Sequence, residues 1–100
     1  MDRRLEFHQI LTDLIGRAYF QPPPSVKIQY PCAVYDLSEV EILYANDKRY
    51  YGKPAYTVTI IDRDPDNDYI HEMMDIFQYC RFDRFYTVDN LNHFVFKVYY

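Results

Sequence analysis

Four aspartates at alternate positions, Asp62, Asp64, Asp66 and Asp68, are the residues of this 100-residue chain that most invite a chemical reading. Carboxylates so spaced are how a calcium-binding loop gathers its oxygen ligands. A loop of that kind opening at Asp62 needs glycine at its sixth position and a bidentate glutamate at its twelfth, and those positions hold Asn67 and Met73. Opening it at Asp64 puts Tyr69 where the glycine must stand, and Pro65 imposes a turn the loop does not use. The acids suit a helix start better. Asp64 reads as the N-cap, Pro65 as the first helical residue, and the other carboxylates complement the positive end of the helix dipole. No metal is expected.

Other chemistry finds fewer residues still. His8, His71 and His93 lie far apart, and His71 stands nine residues before Cys80, whereas zinc sites draw ligands from short, repeated spacings. Ser25 and Ser38 are the only serines and neither sits in a strand–turn–helix elbow. Gly16 and Gly52 are the only glycines, and neither belongs to a phosphate-cradling run. Cys32 and Cys80 read as small strand residues in a reducing compartment, with their pairing left open. The expectation is a protein without catalytic activity and without a cofactor. The segment Lys48-Arg49-Tyr50-Tyr51-Gly52-Lys53 could stack bases and meet phosphates. Asp47 adjoins it, however, and a contact with another protein is the better reading.

The elements that position these residues follow from periodicity. Asp2 to Gly16 predicts a helix: Phe7, Ile10, Leu11 and Leu14 make an apolar stripe that Leu5 and Ile15 widen, and Gly16 suits the left-handed C-terminal residue. Asp2 can cap its start. Gln21-Pro22-Pro23-Pro24 is a stiff extended connection. Strand material follows at Pro31–Tyr35 and Val40–Leu43, then a polar loop from Ala45 to Lys53. From Ala55 to Asp62, Tyr56, Val58 and Ile60 alternate with Thr57 and Thr59, completing a long hairpin with a projecting tip. Ile70, Met73, Met74 and Phe77 form the stripe of a second helix.

Period two returns at Cys80. Cys80, Phe82, Arg84, Tyr86 and Val88 alternate with Arg81, Asp83, Phe85 and Thr87, and Phe94, Phe96, Val98 and Tyr100 line the last strand after a turn at Asp89–Asn92. The order helix–hairpin–helix–hairpin predicts an α+β fold, one domain spanning residues 1–100, with an antiparallel sheet and both helices on one face. The strand pattern runs to Tyr100, so no flexible tail is expected.

Composition narrows function. The chain carries 12 Tyr and 7 Phe but no Trp. Each such ring buries on the order of 150–250 Å², more in total than one small core can enclose, so some rings are expected at the surface as protein contacts. Phe85, set opposite Phe82, and Tyr99, set opposite Tyr100, would leave aromatic surface outside the helix cover. The net charge of −4 disfavours general nucleic-acid binding. No run approaches the roughly 20 apolar residues of a membrane helix, and none makes a secretory leader.

Read in order, several stretches resemble small proteins encoded among the head–tail genes of long-tailed bacteriophages of Gram-positive hosts. They are Arg4-Leu5-Glu6-Phe7-His8, Tyr19-Phe20-Gln21-Pro22-Pro23, Tyr30-Pro31-Cys32-Ala33-Val34-Tyr35, Tyr56-Thr57-Val58-Thr59-Ile60-Ile61-Asp62 with Asp64-Pro65-Asp66, Cys80-Arg81-Phe82-Asp83-Arg84, and Asp89-Asn90-Leu91-Asn92-His93. The family they resemble is the tail terminator, or tail-completion, proteins. The resemblance implies a hexameric ring that caps the tail tube in the virion neck, ends its growth and offers a docking surface to the head. The implied partners are further copies of the chain, the tail tube protein and a head-completion or connector protein. Genome DNA would pass through the ring without being read, and assembly would take place in the host cytoplasm. Lys48, Arg49, Tyr50, Tyr51, Phe85, Tyr99 and Tyr100 are the expected contact residues. Head-completion or minor capsid proteins, and a small phage-encoded protein-binding module, are the alternatives left open.

Overall fold

The computed structural model describes residues 2–45 and 48–100, and for residues 2, 40–45 and 48–53 the backbone only. Its elements are α1 (Asp2–Ile15), β1 (Ala18–Phe20), β2 (Cys32–Ala45), β3 (Lys48–Asp62), α2 (Tyr69–Ile76), β4 (Cys80–Val88) and β5 (Leu91–Tyr99). The five strands form one sheet in the order β1-β2-β3-β5-β4. All neighbours are antiparallel except β1, which runs parallel to β2 through Ala18–Ala33, Tyr19–Val34 and Phe20–Tyr35. The α+β class, the single domain and the placement of the helices on one face hold; the short parallel strand is an addition.

In α1, Phe7, Leu11 and Ile15 are buried, with Ile10 and Leu14 packed at their flanks. Leu5 does not widen the stripe: it is 61% exposed. At about 100° per residue it lies some 200° around the helix from Phe7. Gly16 (φ 102°) ends the helix in the left-handed region, and its N–H reaches the Thr12 carbonyl at 2.7 Å. The side chain of Asp2, expected as the cap, lies outside the described residues.

The helix-side face of the sheet carries Ala33 and Tyr35 from β2, Tyr56, Val58 and Ile60 from β3, and Phe94, Phe96 and Val98 from β5. From α2, Met73 and Phe77 close the same core. Phe7 is its hub: its ring meets Tyr35 edge-on at 5.3 Å, Tyr56 stacked at 4.9 Å, Phe77 at 5.2 Å and Tyr100 at 5.2 Å between centroids. The buried Tyr35 phenol is satisfied at the rim by His8 Nδ1 at 2.7 Å and by Arg4, which donates at 3.3 Å.

Three local expectations give way to tertiary structure. The strand pieces at Pro31–Tyr35 and Val40–Leu43 are one strand, β2, with irregularities between Leu37 and Glu39 and between Val40 and Ile42 that absorb its polar middle. The polar loop from Ala45 to Lys53 is mostly strand, pairing continuing to Ala45–Lys48; Asn46 and Asp47 lie outside the described residues. The second helix starts at Tyr69 rather than Pro65, and Met74 at 46% exposure lies off its buried stripe. The aspartates that looked like its caps turn the loop instead. Asp62 Oδ1 accepts from the Asp64 N–H at 3.2 Å and Asp64 Oδ1 from the Asp66 N–H at 2.9 Å, while Asn67 Oδ1 accepts from the Tyr69 N–H at 3.1 Å. Such local side-chain-to-backbone bonds compete directly with helix formation.

Cys32 and Cys80 are both free. Cys32 pairs with Ile61 on the helix-free face, Cys80 with Val98 on the helix side, and β3 and β5 lie between their strands. Three strand spacings, about 14 Å, exceed the reach of a disulfide. Burial raises each thiol to about 11.

Burial also raises Tyr35, Tyr56 and Tyr69 above the ordinary tyrosine value of 10.0, and the hydrogen bond to Glu6 raises Tyr100. An acid whose folded-state pKa is raised holds its proton more tightly when folded, so its contribution is complete below the unfolded value and lost as pH rises through the folded one. We expect flat stability from about pH 7 to 8 and a decline that begins above about pH 9, where the unfolded thiols ionise and the buried ones do not, and that steepens above about pH 10 as the tyrosines add to it. Denaturant midpoints between pH 8 and 11 check it, and a Tyr35→Phe, Tyr69→Phe chain should lose less stability over that range than the native chain.

Candidate protein-interaction surface

The β2–β3 hairpin outruns the sheet that carries it. β5 supports β3 only from Ala55, paired with Tyr99, to Asp62, and β1 supports β2 only as far as Tyr35. Beyond the pair Val40–Pro54 the two strands continue alone to Ala45 and Lys48, and the molecule measures 51 × 30 × 23 Å. Lys48, Arg49, Tyr50 and Tyr51 fall in this arm, at the start of β3; their side chains lie outside the described residues. A two-stranded ribbon alone in water is marginal, because each strand leaves half its backbone groups to solvent.

At the opposite edge, β4 pairs only with β5, and every residue from Asp83 to Val88 is exposed. The expectation that Phe85 faces away from Phe82 is corrected here. A register shift between Phe82 and Arg84 leaves Asp83 as the extra residue, so Phe82 pairs with Phe96 and Phe85 with Phe94 on the same helix-side face. The rings confirm the pairing, at 5.5 Å and 5.1 Å between centroids. Phe85 lies beyond the helix cover and stays 48% exposed. The bulge sends Arg84 and Tyr86 to the helix-free face opposite Val95 and His93, where Tyr86 stacks on His93 at 4.5 Å and 12°.

Tyr99 ends β5 and Tyr100 follows it on the opposite face, and both are engaged within the chain. Tyr99 donates to Glu39 Oε1 at 3.3 Å, beside the Lys97–Glu39 ion pair at 2.7 Å. Tyr100 packs on Phe7, donates its phenol proton to Glu6 and lies under the Arg3 guanidinium at 4.4 Å; its carbonyl accepts from Arg3 Nε at 2.9 Å. Tyr100 thus fastens α1 to the end of β5. Two surface features escaped the periodicity argument. Tyr86 and Val88 are open on the helix-free side of β4, and the outer edge of β2 past Tyr35 has no strand beside it. The first needed the bulge, and the second needed the length of β1.

His8 lies beside the core, and burial together with the Arg4 charge lowers its pKa. His93 Nδ1 bonds the Leu91 carbonyl at 3.1 Å. Among the described residues no three His, Cys, Asp or Glu side chains gather where they could hold a metal ion, and no helix is long and apolar enough to cross a membrane.

What fold and surface define is an α+β body with a protruding two-stranded arm and an open aromatic sheet edge. Set against protein-family models, curated proteins and solved structures, the chain matches none.

Proposed function

We propose that this chain is a structural subunit of a bacteriophage neck, forming a ring that caps the tail tube, ends its growth and presents a docking surface to the head. Two kinds of observation support the reading. One is the ordered series of stretches, from Arg4–His8 to Asp89–His93, that resemble tail terminator proteins. The other is the arm of residues 40–45 and 48–54, which carries the reading furthest. Among the described residues no third strand flanks this ribbon, which has a use when another chain covers it, and a ring seated on a tube supplies such a surface at regular intervals.

The action is that of fit. Ring closure consumes the lateral surface of every subunit, so growth sideways stops at a fixed number. One face of the ring matches the last tube ring and offers no site for another, which arrests the tube; the opposite face receives the head. The mass of the chain in solution, across concentrations and with the tail tube protein added, tests this. A defined oligomer of about six copies, alone or on the tube, is expected. A chain that stays monomeric in both conditions would turn the reading toward a small phage-encoded binding module. A ring that binds head proteins and ignores the tube would turn it toward a head-completion role.

A further inference from the structure

Tyr35 is enclosed, yet its phenol must place one proton. Two groups reach its oxygen: Arg4 Nη1 at 3.3 Å and His8 Nδ1 at 2.7 Å. A guanidinium only donates, so Arg4 cannot receive that proton. The tyrosine is 0% exposed, which leaves no water to receive it either. The proton goes to His8 Nδ1. This fixes the imidazole as neutral, with its own hydrogen on Nε2 and a lone pair on Nδ1.

The other two histidines are under no such demand. His93 Nδ1 faces the Leu91 carbonyl at 3.1 Å, so that ring donates there whether neutral or charged. His71 is exposed.

We infer that Arg4, His8 and Tyr35 form an acid-sensitive clasp between α1 and β2, closed while the imidazole is neutral and opened when it takes a second proton. A protonated His8 presents an N–H where the phenol needs an acceptor. Tyr35 then meets two donors and its own hydrogen is left unpaired in a buried site. The groups that face this place are Arg4 on the helix itself, Tyr35 from β2, Tyr56 from β3, and the Phe20 ring of β1, over which the Arg4 guanidinium lies at 4.4 Å. Arg4 is the charge that bears on the imidazole, and among the described residues no carboxylate offsets it. Burial and that charge hold His8 below the ordinary histidine value of 6.5. The folded chain thus binds fewer protons than the unfolded one. The clasp's contribution is complete above 6.5 and lost as pH falls through the lower folded value. Phe7, the hub of the core, lies between Arg4 and His8 in α1, so an open clasp loosens the helix where it holds the sheet.

Denaturant midpoints from about pH 8 down to about pH 5, above the carboxylate range, test it. The unfolding constant of the native chain should hold at the upper end and then rise with acid, by no more than the roughly tenfold per pH unit that one proton allows. His8→Asn sets a non-titrating acceptor near the place of Nδ1 and should keep stability level across the range. Nitrogen resonances of the native chain at about pH 7.5 should show His8 Nδ1 bare and Nε2 protonated. A hydrogen on Nδ1 at that pH, or an equal acid loss in the His8→Asn chain, would overturn the clasp. Both measurements read the single chain, so either result leaves the ring reading where it stands.

Discussion

Phe7→Ala is expected to cost about 3–5 kcal/mol of stability, the usual loss when a fully buried phenylalanine is truncated and its neighbours cannot collapse into the space. The collapse is poor here because the four rings around Phe7 come from four different elements: Tyr35 from β2, Tyr56 from β3, Phe77 from the end of α2, and Tyr100 beyond β5. Each is held by its own strand or helix, so none moves inward without breaking another contact. A domain of this size is stable by about 5–15 kcal/mol in total, so the loss takes a large share of it. A fall of at least about 15 °C in Tm should follow. The neighbouring Leu5→Ala, on the exposed side of the same helix, should change stability by under about 0.5 kcal/mol. Equal losses at both positions by denaturant titration would show that the helix-side core is not organised around Phe7.

On the ring reading proposed above, replacing Lys48, Arg49, Tyr50 and Tyr51 with serine is expected to leave the oligomer intact and abolish control of tail length. The four residues stand in the arm, whose strands pair from Val40–Pro54 to Ala45–Lys48 with no third strand. Among the described residues the buried core takes from β2 only Ala33 and Tyr35 and from β3 only Tyr56, Val58 and Ile60, all beyond the arm, so the folded body is expected to survive the change. If the arm tip makes the axial contact with the tube, serine removes two cations and two rings, among them Arg49, Tyr50 and Tyr51, of the types that carry most of the energy at protein interfaces. A contact held by a few such anchors loses affinity by orders of magnitude, and tubes polymerised with the variant should run past the normal length in electron micrographs. Tails of normal length from this variant would dispose of the arm's axial role.

Much of this was legible in one dimension. The α1 stripe of Phe7, Leu11 and Ile15, its Gly16 stop, and the Tyr56/Val58/Ile60 face of β3 are written in local spacing, because a helix or strand sorts its side chains by a fixed period. The surplus of rings likewise announced itself in composition, and Tyr79, Phe85 and Tyr86 are indeed exposed. Parity failed at β4. Period two counts residues, and a bulge adds one that the count cannot see, so Phe85 changed face together with everything after it.

The candidate surface divides along the same line. The amino-acid chain by itself determined the α+β class, the two helices, the aromatic excess and the cationic, tyrosine-rich tip, since each depends on residues within a few positions of one another. Only the tertiary structure decided that Tyr99 and Tyr100 are spent within the chain, that β1 stops short of the end of β2, and that β4 forms the opposite edge of the sheet. Those facts depend on strand order and register across tens of residues, where the energy lies in pairing and burial rather than in any local preference.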